Sequence, residues 1–263
     1  MRDFYSPWGL PDTVDQADGL RRMFSGGPRR FIAVVANPLA SFTGVALERL
    51  AAVLALQGCS SLIVDAADTA PEPDESVALG LSCAIERLSP DVSYLPARDL
   101  PMRWVDTRGS AARFLEEVQA AAPDRDVYVV HAQATDLARL FSRQSMRPVF
   151  LAEDHPESVK ECYATMKWLS QRCGWMSGDL LLLASPSSPR VAQIAASLAG
   201  CADRFANVAL HDWAAVDPAS LPQSLPEADL GRLVAAQLRA DELPVPPAWQ
   251  LARHATAAHA RGH

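Results

Sequence analysis

The chain has 263 residues, is 49% hydrophobic and carries a formal net charge of −7. That is enough apolar material to bury a sizeable core, as one large α/β domain or two small ones. The acidic balance argues against a broad phosphate-tracking surface, so no nucleic-acid partner is expected.

Residues 1–12 carry Pro7, Gly9 and Pro11 and read as a flexible tail. A helix is predicted over 13–24. Thr13 and Gln16 have the spacing of a capping box, and Val14, Ala17, Leu20 and Phe24 form one apolar stripe. Gly26-Gly27-Pro28 ends it. Residues 31–36 form a continuous apolar run, as expected of a strand covered on both faces. A helix over 45–56 follows, with Leu47, Leu50, Ala51 and Leu54 on one face, and Gly58 stops it. The remaining pattern predicts strands over 61–65, 92–95, 126–131, 148–152, 179–184 and 208–210. It predicts helices over 76–88, 111–121, 157–171, 189–198 and 230–238. The helix over 157–171 would bury Val159, Cys162, Tyr163, Met166 and Leu169. Strands alternating with helices imply an α/β class: three layers around a doubly wound, mostly parallel sheet. The expected division is a head over 1–30, one domain over 31–243, and a tail from Pro244 over 244–263.

The five cysteines, Cys59, Cys83, Cys162, Cys173 and Cys201, are odd in number and include no C-x-x-C pair. Neither a disulfide framework nor a zinc site is expected, and a reducing cytoplasm is the simple compartment. The first 30 residues hold no apolar signal core and no run is long enough to span a bilayer. Only two lysines occur, Lys160 and Lys167.

The run Asp15-Gln16-Ala17-Asp18-Gly19-Leu20-Arg21 resembles the D-Q-A-x-G-L-R opening helix of FlhG proteins, which belong to the MinD/ParA branch of P-loop NTPases. A second segment, with Pro156, Glu161, Tyr163 and Lys167, is similar to that family's P-x-x-x-x-D-A-Y-x-x-x-K stretch. The resemblance covers roughly residues 15–240. It implies a MinD/ParA-like P-loop NTPase fold and a role in flagellar number or placement. It also implies an FlhF-type GTPase as partner, stimulated by the head helix. Gln16 would orient the attacking water, since an amide both donates and accepts. Asp15, Leu20 and Arg21 would anchor the helix, Ala17 belongs to the same matched motif, and Gly19 would allow close approach. The competing role for Gln16 is capping its own helix.

The nucleotide positions depart from that pattern. Where the family has G-K-G-G-V-G-K-S/T, this chain has Asn37-Pro38-Leu39-Ala40-Ser41-Phe42-Thr43-Gly44. Pro38 stands at the branch's signature lysine, Thr43 at the P-loop lysine and Gly44 at the magnesium hydroxyl. Backbone N–H groups there would normally cradle phosphates, and Pro38 has none to offer. The D-x-D after the second strand becomes Asp65-Ala66-Ala67, with Asp68 displaced by one, and His131 takes the place of the magnesium-linked aspartate. Ala184 or Ser185 replaces the adenine-reading asparagine. The resemblance therefore implies a pseudo-ATPase, with no cofactor, no metal and no catalytic residue of its own.

Two other functions stay open at this point. One is an atypical ATPase that still binds ATP and magnesium. The other is a scaffold for flagellar basal-body or transcription-regulator proteins. Residue by residue, Asp65 and Asp68 fit a solvated turn equally well. His131 fits a structural histidine, and His155 a surface one. Family members end in a membrane-binding amphipathic helix. Here the segment from Trp249 to Ala260 has little apolar mass, so weak contact at the inner membrane or cell pole is the most that is expected.

Overall fold

The computed structural model describes residues 30–142, 144–219 and 224–240. The head-helix residues Asp15, Gln16, Ala17, Gly19, Leu20 and Arg21 and the tail beyond 240 lie outside the described residues. The described strands are β1 (Arg30–Val35), β2 (Ser61–Asp65), β3 (Glu86–Arg87), β4 (Val92–Pro96), β5 (Val127–Ala132), β6 (Val149–Glu153), β7 (Ser177–Leu183) and β8 (Ala209–Val216). The helices are α1 (Thr43–Leu56), α2 (Leu81–Ala84), α3 (Ala112–Ala121), α4 (Ala134–Leu140), α5 (Pro156–Cys173), α6 (Pro189–Cys201) and α7 (Ala228–Ala240).

The strands form one sheet in the order β3-β4-β2-β5-β1-β6-β7-β8. Every pairing is parallel except β3 with β4. This is the expected three-layer α/β architecture. Strands β2 and β5 are buried at every residue, because helices cover both faces of the sheet and leave no solvent-facing row. One face is closed by α3, α4, α5 and α6, through residues such as Phe114, Leu137, Met166 and Leu198. The other is closed by α1 and α7, through Leu47, Leu50, Leu54, Leu230, Leu233 and Val234. Two helices cannot span eight strands. Beyond α1, the flank over β2 and β4 is left partly open. Strand β4 records this as an alternation: Ser93 and Leu95 are buried, whereas Val92 and Tyr94 are half-buried. Strand β3 is two residues long, exposed and charged, which blunts the sheet edge against further pairing.

Three stretches differ from the sequence expectation. The helix predicted over 76–88 is a 3-10 turn (Glu75–Leu79), then α2, then β3. Gly80 between the first two has φ of 130°, outside the helical region, so the apolar periodicity is interrupted there. Strand β8 runs through Val216, well past the predicted 208–210. Its polar centre is satisfied by tertiary partners: the Asp212 N–H donates to the Asp179 carboxylate, and Arg232 of α7 pairs with the Asp212 side chain. Helix α4 has no counterpart in the expectation. It is only seven residues long, shorter than pattern reading resolves.

Gly178 shows how tightly β7 is packed. A Cβ there would lie 2.5 Å from Phe150 Cε2 and 3.0 Å from the Pro148 carbonyl oxygen. Phe150 is itself buried, so its ring has nowhere to swing. Gly178→Ala is expected to cost about 1–3 kcal/mol by overpacking, measured by urea denaturation. A cost near zero would mean that β7 and β6 can separate without penalty.

Candidate functional site

In a doubly wound sheet, ligand sites form at the carboxyl ends of the strands where the connections reverse direction. Here that point is β1, which lies between β5 and β6. The loop 36–42 leaves β1 there and leads into α1, so the topology places Asn37–Gly44 at the crevice.

The loop is closed by its own side chains. Asn37 is 5% exposed. Its Nδ2 donates to the Leu151 carbonyl, the Ser158 carbonyl and Ser158 Oγ, each at 3.0 Å. Ser158 sits in the first turn of α5, and its hydroxyl also accepts from the Glu153 N–H at 3.0 Å. Asn37 Oδ1 accepts the Leu39 N–H at 3.0 Å, and its carbonyl accepts the Ala40 N–H at 3.0 Å. The Ser41 N–H donates to Glu153 Oε1 at 2.5 Å. Thr43 Oγ1 turns back onto the Ala40 carbonyl at 3.2 Å. Three successive loop N–H groups are thus engaged internally, one of them by a carboxylate. An anion approaching these donors must displace bonds already made and must meet the Glu153 charge.

Next to the loop lies a half-open cavity of about 810 Å³, bounded by α1 on one side and β2, β4 and β5 on the other. Pro38, Thr43, Gly44, Asp65 and His131 all line it. The structure therefore brings five of the sequence-selected residues together. Asn37 belongs to the loop but points away into the α5 contact. Asp68 is exposed and accepts a long bond from Gln133 Nε2 at 3.4 Å. Ala184 is buried, Ser185 lies in the loop before α6, and the exposed His155 caps α5 by accepting the Glu157 N–H. The two lysines are on α5, where Lys160 pairs with Glu157 at 2.6 Å and Lys167 is exposed.

The polar end of the cavity is a chain of three side chains. Asp65 and His131 are register partners on adjacent parallel strands, and Tyr94 comes from β4 on the far side of β2. His131 Nδ1 meets Asp65 Oδ1 at 2.7 Å, and the Tyr94 hydroxyl donates to Asp65 Oδ2 at 3.1 Å. Burial first, and then the Asp65 charge, push the Tyr94 phenol far up from its ordinary value, so it stays a neutral donor. His131 is 1% exposed, and its Nε2 has no hydrogen-bond partner among the described residues.

Tyr94, Glu153 and Ser158 were not singled out by the sequence. The alternation Val92-Ser93-Tyr94 places Tyr94 on one face of β4, but only the strand order puts that face beside Asp65. Among the described residues, no group of three or more His, Cys, Asp or Glu side chains could hold a metal ion. No helix among them is long and apolar enough to cross a membrane.

No protein-family model matches the sequence, and no curated protein matches it. Solved structures do. Cobyrinic acid a,c-diamide synthase from Mycobacterium smegmatis, solved with ADP and magnesium, aligns with a TM-score of 0.54 at 17% identity, over 82% of this chain and 96% of that one. MinD from Aquifex aeolicus aligns with a TM-score of 0.55 at 11% identity, over 82% and 99%. A ParA family ATPase from Chlorobium tepidum gives 0.51 at 12% identity, over 80% and 98%. The described domain thus has the α/β fold of the MinD/ParA P-loop ATPases.

Proposed function

We propose that the protein is an FlhG-like regulator of flagellar number or placement. It would act by binding an FlhF-type GTPase through the Asp15–Arg21 motif and accelerating GTP hydrolysis, without ATP chemistry of its own. The observation that carries the reading is a pairing of opposites. The activator motif Asp15-Gln16-Ala17 with Gly19, Leu20 and Arg21 is intact, while the loop after β1 has its N–H groups engaged by Asn37 and Glu153. These residues do not suit a magnesium nucleotide. Among the described residues no lysine or arginine lines the adjacent cavity, and the Asp65 carboxylate that a magnesium site would draw on is bound to His131 and Tyr94.

In this reading the chain does no bond-breaking chemistry. Gln16 enters the partner's site, where its amide accepts from the attacking water and holds it in line with the γ-phosphate. Asp15, Leu20 and Arg21 fix the helix on the partner, and the α/β domain carries it. Weak contact of the tail with the inner membrane or pole would add localisation and no catalysis.

GTP turnover by an FlhF-type partner is the test, with full-length protein and with Gln16→Ala. An arginine finger contributes on the order of 10³–10⁵ in stimulated GTPases, which sets the scale for a group supplied in trans. Gln16→Ala is expected to lose at least about 10-fold of the stimulation, a conservative fraction of that range, while still binding the partner. Equal stimulation by both proteins would sink the role of Gln16, and no binding of either would sink the partner.

A further inference from the structure

Strands β2 and β4 are parallel neighbours, and parallel strands are ordinarily covered on both faces. On the α1 side of β4 that cover is incomplete among the described residues. Val92 and Tyr94 are half-buried, and Leu88, in the turn between β3 and β4, is 60% exposed. All three line the half-open cavity beside α1, whose opposite wall includes Ala51, Ala52 and Ala55. Alanines hold a neighbouring helix off by no more than a methyl group, so a second helix can lie close against α1. From Gly44 to Ala55 the wall is about 17 Å long at 1.5 Å per residue.

The helix predicted over 13–24, outside the described residues, matches this groove in length, reach and charge. Twelve residues make a helix of about 18 Å. Strand β1 runs from Arg30 to the loop 36–42 and α1 returns from that loop, so Ala55 lies at the Arg30 end. Arg30, Val127, Ser61 and Val92 form one row across β1, β5, β2 and β4. At about 4.8 Å per strand spacing, Val92 stands about 14 Å from Arg30 along that row. The six Cα steps from Phe24 to Arg30 reach up to about 20 Å, so Phe24 can lie against Leu88 and Val92. The charges on the groove are Glu48 and Asp65, with no lysine or arginine among the described residues. At 100° per residue, Arg21 falls within about 50° of the centre of the Val14, Ala17, Leu20 and Phe24 stripe, and Asp15 and Asp18 fall more than about 100° from it. The face that would enter the groove is therefore apolar with a cationic edge. The tail is placed less well. It leaves from α7, which Gln237 fastens to Arg147 and Asp179 beside β6 and β7, so β1 and β5 lie between it and the groove.

We propose that this groove is the seat of the chain's own head helix, with Val14, Ala17, Leu20 and Phe24 turned inward and Arg21 beside Glu48. Its consequence for activity rests on the partner-binding reading. Leu20 and Arg21 cannot face the groove and a partner together, so the seat withholds the activator motif until a partner competes for it. The seat itself does not depend on that reading.

Hydrogen exchange of the full-length protein, read by mass spectrometry, tests the seat. An isolated helix of this length is marginal in water, so protection of 14–24 reports docking. Exchange there is expected to be at least about ten-fold slower than in an unstructured chain, which corresponds to a seat filled about nine-tenths of the time. Ala52 is half-buried on the α1 wall, and Ala52→Glu should return 14–24 to the unstructured rate, as should Leu20→Asp. If Ala52→Glu also speeds exchange in β1 and β5, the exposed Glu48→Arg replaces it. Protection should then fall about three-fold, the scale of one surface charge pair, and Arg21→Glu added to it should restore the loss. No protection of 14–24 in the unaltered chain overturns the seat, and so does protection that persists in both Ala52→Glu and Leu20→Asp. Protection that varies with protein concentration would give the groove to a second copy. Protection of 249–260 that Ala52→Glu removes would give it to the tail, and either result overturns the proposal. Binding to an FlhF-type GTPase is measured separately. Ala52→Glu should bind about ten-fold more tightly, because only the undocked fraction is competent. Unchanged affinity alongside lost protection overturns the withholding of the motif. Absence of binding by either protein sinks the partner and leaves the seat to stand on its exchange data.

Discussion

Asp179→Ala is expected to lower the free energy of unfolding by about 3–5 kcal/mol, the range for removing one partner of a buried ion pair. Asp179 is fully buried at the irregularity in β7. Its Oδ1 accepts from Arg147 Nη2 at 2.6 Å and from the Asp212 N–H of β8 at 3.0 Å. Its Oδ2 accepts from Gln237 Nε2 of α7 at 2.5 Å. One carboxylate therefore fastens the segment before β6, the edge strand β8 and helix α7 to the same point. Truncation leaves a guanidinium without its counter-charge, takes the partner of the part-buried Asp212 N–H, and leaves Gln237 Nε2 only its bond to the Arg147 carbonyl, so a second cost adds to the first. For a domain of this size the loss corresponds to a fall in Tm of roughly 6–20 °C. Asp179→Asn keeps acceptor capacity and should lose less. Replacing Asp179 and Arg147 together with Leu and Met should recover much of the loss, because a well-packed apolar pair removes the desolvation cost. Urea denaturation measures all three. A loss below about 1 kcal/mol for Asp179→Ala would place it among ordinary exposed pairs and refute the clip.

This clip marks the limit of what patterns in the chain reveal. The central strands are legible because burial on both faces writes itself as apolar runs, as in 31–36 and 127–130. Helices α1 and α5 are legible because Leu47, Leu50, Leu54 and Cys162, Met166, Leu169 recur at helical spacing and do lie buried. Strand β8 is not, since His211 and Asp212 break its alternation, and Asp212 is accommodated by partners 20 or more residues away. Gly80 defeats the helix predicted over 76–88 in the opposite sense. There the local pattern is helical, but one backbone angle forbids it.

The candidate site divides along the same line. The departure of Asn37–Gly44 from a phosphate-cradling pattern of glycines and lysines is legible because such a motif depends on neighbouring residues. What replaces it is not visible. Glu153 reaches Ser41 across 112 positions, and Asn37 reaches Ser158 across 121. Asp65 and His131 could be selected one at a time, as strand ends. Their pairing, and the addition of Tyr94 from the middle of β4, follow only from the β4-β2-β5 order, which brings together residues 29 and 66 positions from Asp65 in sequence.

Millimolar Mg-ATP is expected to leave the Tm unchanged to within about 1 °C, a shift too small to reflect specific binding on the scale set by the linkage between ligand and stability. A competent nucleotide site filled at 100 times its Kd adds about 2.7 kcal/mol, or roughly 5–11 °C for a domain of 150–250 residues. Three features of the loop argue for the smaller number. The Leu39 and Ala40 N–H groups are bound within the loop itself, and the Ser41 N–H is bound to Glu153. Among the described residues no lysine or arginine lines the cavity to neutralise a triphosphate, and a phosphate placed at the loop would meet the Glu153 carboxylate that holds Ser41. Glu153→Ala removes only the carboxylate. It frees one N–H out of three and restores no cation, so it too should leave the Tm insensitive to Mg-ATP. A shift of several degrees with the unaltered chain would show that phosphate displaces the internal bonds, and would revive the ATPase reading. A shift appearing only in Glu153→Ala would single out that carboxylate as the element that closes the site. Insensitivity of both proteins is the result expected of the proposed reading, in which the chain has no ATP chemistry of its own.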